Sequence, residues 1–113
     1  MKFALMILET AESKRSIAAD AAAHGAAIGT WMGEQGQAGN LVGGEAFDTV
    51  GRKPAVVRKS GADVAVTNEP FAGGTETIGG YVLVEAADEA EAVAMAKTWP
   101  TPETLEIWPV LPM

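Results

Sequence analysis

A chain of 113 residues, 48% apolar and 20% charged, can fold as one domain with a modest core and is too short for two. It has no cysteine and one histidine, which excludes disulfides, thiol nucleophiles, iron–sulfur clusters, thiolate zinc sites and any multi-histidine metal site within the chain. Its net charge of −7 argues against nucleic acid and anionic membranes as partners.

Residues 2–8 (KFALMIL) read as a strand that is apolar on both parities. Phe3, Leu5 and Ile7 point one way, and Ala4, Met6 and Leu8 the other, as in a strand buried on both faces. Glu9 follows at once, so the run is too short for a secretory signal, and no stretch approaches the ~20 apolar residues of a membrane span. With no cysteine and no export signal, the expected location is the cytoplasm.

Residues 13–38 read as one alanine-rich helix, capped by Ser13 or Ser16, with Ile17, Ala21, Ile28, Trp31 and Met32 on one stripe. Gly25, Gly29 and Gly33 recur every fourth residue. Asp20, His24 and Glu34 argue against a membrane helix pair, which leaves close packing on a neighbour or a break. Gly39–Asn40 ends the helix as a left-handed cap.

Residues 41–47 read as a second strand with a bulge or close approach at Gly43–Gly44. Residues 54–59 and 62–67 form a hairpin around Ser60–Gly61. A loop over 68–77 carries Pro70 and Gly73–Gly74. Residues 79–86 form a strand apolar on both parities, and 88–98 a helix capped by Asp88 and stopped by Pro100 and Pro102. Residues 104–110 close the chain as a strand, which Pro109 confines to an edge.

The order β–α–β–(hairpin)–β–α–β predicts an α+β, ferredoxin-like split βαβ sandwich over residues 1–113, with two helices on one sheet face. Two helices cover only one side. The face bearing Ala4, Met6 and Leu8 would then be a large exposed apolar patch, which predicts a homodimer, sheet against sheet. Charge is also uneven. Residues 1–60 carry seven basic and six acidic groups, and residues 61–113 carry Lys97 alone against nine acidic ones. That asymmetry reads as a solvated acidic face or as a surface for a basic partner.

The segment 64–81, VAVTNEPFAGGTETIGGY, resembles the signature of the YCII-related, DGPF-type domain family, an Asp-Gly-Pro-Phe turn followed by a charged stretch and Gly-Gly-Tyr/Phe. Residues 39–47, 56–58 and 106–110 resemble further family segments in the same order. The resemblance implies a dimeric α+β barrel. No cofactor is expected. Here the turn reads Asn68-Glu69-Pro70-Phe71, Gly73 stands at the family's acidic position, Thr75 at its lysine and Trp108 at its closing arginine. A family subgroup pairs a helix histidine with an aspartate. The matching positions here are Ile28 and Thr98–Trp99, one turn from His24 in the first case.

His24 is the only imidazole, with Asp20 one turn before it. That spacing suits either a carboxylate that orients a general base or a satisfied histidine at the core edge. Glu45 follows two glycines and would accept from a ligand or from Arg58 across the strands. Asn68, Phe71 and Glu76 give the 68–77 loop a donor, an aromatic and a carboxylate, or a structural turn plugged by Phe71. Gly73–Gly74–Thr75 lacks the lysine of a phosphate loop. The three tryptophans fit packing better than a cleft. Two functions follow: a small-ligand binding or accessory homodimer without strong catalysis, favoured by the lost Asp and Lys of the turn, and a cofactor-free general-base enzyme using His24 or a loop carboxylate.

Overall fold

The computed structural model describes residues 1–69 and 76–112. The expected order is present. β1 (Lys2–Glu9) leads to α1 (Ala11–Ala19) and α2 (Ala21–Gln37), then β2 (Leu41–Ala46) and the hairpin β3 (Val56–Ser60) and β4 (Asp63–Thr67). β5 (Thr77–Glu85), α3 (Glu89–Lys97) and β6 (Thr104–Pro109) complete it.

The long helix predicted over 13–38 is two helices. Asp20 takes the non-helical values φ −156°, ψ 84° and ends α1, and its side chain accepts from the Ala23 N–H to begin α2. A short polar side chain that bonds forward to the backbone competes with continuation of the helix. The first cap also differs. Thr10, not a serine, caps α1, and Ser13 sits three residues in as its reciprocal partner in a capping box. Asp88 caps α3 as expected, accepting from the Glu91 N–H at 2.9 Å.

Four strands form one antiparallel sheet in the order β2-β5-β1-β6. With these strands counted alone, the order is that of a ferredoxin-like fold, and β6 is an edge, as Pro109 requires. β3 and β4 make a separate two-stranded sheet. Ser60 pairs with Asp63, so the hairpin turns on Gly61–Ala62, one residue later than the sequence suggests. Gly61 has φ +62°, a value a glycine adopts without strain at the first loop position.

The core lies between the sheet and its helices. Phe3 and Leu5 of β1 and Val82 and Val84 of β5 pack with Trp31 of α2 and Ala92 and Met95 of α3. Trp31 and Trp99 meet edge-to-face at 5.0 Å, and the Trp31 indole N–H donates to the Thr98 hydroxyl at 2.8 Å. Among the described residues, α2 and α3 contribute to this core, and α1 packs against α2 and β1. On the opposite face Ala4, Met6, Leu8, Tyr81 and Leu83 are only half-buried, and Trp108 is 57% exposed. Strands expected to be buried on both sides are therefore fully buried on one. The molecule is 18 Å across its thinnest dimension, one helical layer on one sheet.

Glycine acts in two different ways. The expected close approach in β2 is at Gly44, where a Cβ would lie 2.6 Å from the Tyr81 carbonyl oxygen. The bulge is separate, between Leu41 and Gly43. Gly25, Gly29 and Gly33 of α2, by contrast, have nothing within 4 Å of an added Cβ, so their spacing serves no close packing. Among the described residues no helix is long and apolar enough to cross a membrane.

Candidate functional site

The first turn of α2 carries His24, and the segment between α3 and β6 brings Glu103 to it. Trp99 and Thr98 close α3 with tight backbone bonds to Ala96 and Met95. Pro100 and Pro102 then forbid further helix, and the chain folds back beneath α2. His24 Nε2 and Glu103 Oε1 are 2.6 Å apart. The Glu103 side chain is 2% exposed and that of His24 13%.

Glu103 is itself held. Its Oε2 accepts from the Trp99 indole N–H at 3.1 Å and from the Thr101 hydroxyl. Burial pushes its carboxyl upward, but the hydrogen bonds from Thr101, Trp99 and His24 outweigh it, so the group lies below the ordinary glutamate range. An ionised carboxylate only accepts. Nε2 of His24 therefore carries the proton, and in the neutral ring Nδ1 carries the lone pair. Among the described residues no group hydrogen-bonds to Nδ1.

His24 and Glu103 line a cavity of about 310 Å³. Ile7, Ile17, Ile28, Met32 and Val82 supply its apolar walls, and the 45–50 segment closes one side. Glu9, at the end of β1, also lines it and is 7% exposed. The Thr49 hydroxyl donates to Glu9 Oε1 at 2.6 Å. Gly79 leaves room for that carboxylate, since a Cβ there would fall 2.7 Å from Glu9 Cγ. Phe47 and Thr49 separate this space from a larger cavity of about 450 Å³ walled by Lys14, Arg52 and Lys53, which has no histidine. Among the described residues no three His, Asp or Glu side chains are grouped to hold a metal ion.

The residues singled out from sequence are dispersed. His24 and Glu45 line the same cavity. Asp20 is engaged as the cap of α2, and the carboxylate on His24 is Glu103. Glu45 lies in the main sheet opposite Tyr81, and Arg58 lies in the hairpin opposite Ala65, so a cross-strand pair between them has no shared sheet. Asn68 donates to the Pro54 carbonyl at 3.0 Å and braces the base of the hairpin. Glu76 is exposed just before β5. Phe71 lies outside the described residues.

Sequence reasoning missed Glu103, Glu9 and Thr49. No spacing rule joins His24 to a residue 79 positions away. A signal did exist for Glu103. The family resemblance points to a carboxylate just after the second crossover helix, and Glu103 is the first acidic residue after Trp99. Among protein families, the model described as YCII-related domain matches residues 1–113. No curated protein matches the chain.

Proposed function

The chain belongs to the YCII-related domain family, and on that footing we propose that it binds a small, mainly apolar molecule in the His24 cavity and removes a proton from it with His24 as general base. The observation that carries this reading is the 2.6 Å contact between His24 Nε2 and a Glu103 that is itself fixed by Trp99 and Thr101. A buried carboxylate on one ring nitrogen sets the tautomer, leaves Nδ1 as the base and stabilises the imidazolium that forms. The bond broken is an acidic C–H or O–H of the ligand. The proton goes to Nδ1, and the electron pair stays on the ligand. The apolar walls strengthen each of these electrostatic interactions by excluding water.

Binding without catalysis uses the same cavity, with His24 as a hydrogen-bond partner only. Solvent-deuterium exchange into the α-carbon of 2-tetralone separates the two. The expected result is exchange by the wild-type protein faster than by His24→Gln by about 10² or more. Exchange no faster than with equimolar free imidazole overturns the proton-transfer reading. Amide shifts around Ile28 and Gly79 that persist in His24→Gln without exchange establish binding alone.

The assembly belongs to the same proposal. A second copy covers the open sheet face through Met6, Leu8, Leu83 and Trp108. Supporting this are the placement of the described helices on the other side and the 57% exposure of a tryptophan near the end of an edge strand.

A further inference from the structure

We propose that Glu9 is the ligand-anchoring group of the His24 cavity, and that the cavity selects apolar molecules bearing an N–H or O–H donor, ammonium ions above all, and rejects anions. This rests on the reading of that cavity as a ligand site, but not on proton transfer.

Glu9 belongs to a strand whose neighbours are apolar, and it is 93% removed from solvent. A carboxylate left so is costly unless hydrogen bonds satisfy it. One oxygen is satisfied by Thr49. The open space beside Glu9 is the cavity. Gly79 packs against the Glu9 side chain, and Thr49 fixes its head, so the carboxylate is positioned before any ligand arrives.

Charge around the cavity points the same way. Among the described residues its lining holds Glu9 and Glu103 with His24 and no lysine or arginine. The cations of this region, Lys14, Arg52 and Lys53, line the neighbouring cavity across Phe47 and Thr49. A donor placed against Glu9 gains a charge-assisted hydrogen bond, and a ligand carboxylate there meets like charge in a low dielectric. An apolar frame is needed in either case for Ile17, Ile28 and Met32 to pack upon.

Four ligands on one frame test this: 2-aminoindane, 2-indanol, indane and indane-2-carboxylate, titrated at pH 7 and followed by amide shifts of Glu9, Gly79 and Ile28. The expected order of affinity is amine, alcohol, indane, carboxylate, with amine over indane by about tenfold or more. Glu9→Gln abolishes the amine preference and leaves indane unchanged, and His24→Gln retains it. The wild-type order needs no variant, so a Glu9→Gln protein that does not fold does not spare the inference. Indane binding as tightly as the amine, or an unchanged amine preference in Glu9→Gln, overturns the role of Glu9 and leaves the cavity standing. Failure of all four at millimolar concentration overturns the cavity as well. A carboxylate that shifts only Phe47, Lys53 and Thr77 has gone to the neighbouring cavity and agrees with the proposal.

Discussion

His24 and Glu103 meet through Nε2 and Oε1 at 2.6 Å although 79 positions separate them in the chain. Each arrives by a local device that says nothing of the other. Asp20 starts the helix that presents His24, and two prolines stop the helix after which Glu103 turns back.

That pair gives the protein a specific acid response. Burial raises the Glu103 carboxyl, and the bonds from Thr101, Trp99 and His24 more than offset it, so its folded value lies below its unfolded one. A depressed carboxylate contributes stability in full above the unfolded value and loses it as pH falls through the folded value. Glu103→Gln should cost about 1–3 kcal/mol at pH 7 and decline less than wild type between pH 5 and the acid end. Urea unfolding over that range measures it. Parallel curves for the two proteins would contradict this account of Glu103.

Asp20 has a separable role. Asp20→Ala should destabilise the protein by about 1 kcal/mol through loss of the α2 cap, and Asp20→Asn by much less. The His24 ring nitrogen shifts should keep their Nε2–H signature in both variants and lose it in Glu103→Ala. A change of tautomer on replacing Asp20 would return that residue to the site.

Two glycine-to-alanine changes should have opposite signs. Gly44→Ala drives a Cβ against the Tyr81 carbonyl from φ +158° and should cost about 2 kcal/mol or more, because backbone must move. Gly29→Ala, exposed and uncrowded in α2, should gain roughly 0.5–1 kcal/mol from helix propensity. Thermal unfolding of both variants checks the contrast.

The proposed dimer has a direct test at Trp108. Its exposure means that Trp108→Glu leaves the protomer's core untouched. Sedimentation at micromolar concentration should show a dimer for wild type and a monomer for the variant. A wild-type monomer would refute sheet-to-sheet pairing.

The chain by itself determined the type and order of nearly every element, because strand alternation, capping residues and proline stops are local signals. Asp88, Pro100, Pro109 and the apolar parity of residues 2–8 each express a rule that operates within a few residues. The same locality explains the single long helix read across Asp20, since alanine-rich flanks on both sides outweigh one residue whose side chain prefers to cap. The tertiary structure alone decided which carboxylate reaches His24, and that Glu9 is buried beside it. The first depends on how a crossover helix meets the segment that leads into an edge strand, and the second on how residues 45–50 meet the end of an interior strand. No periodicity in the sequence encodes a contact between residues that only packing makes neighbours.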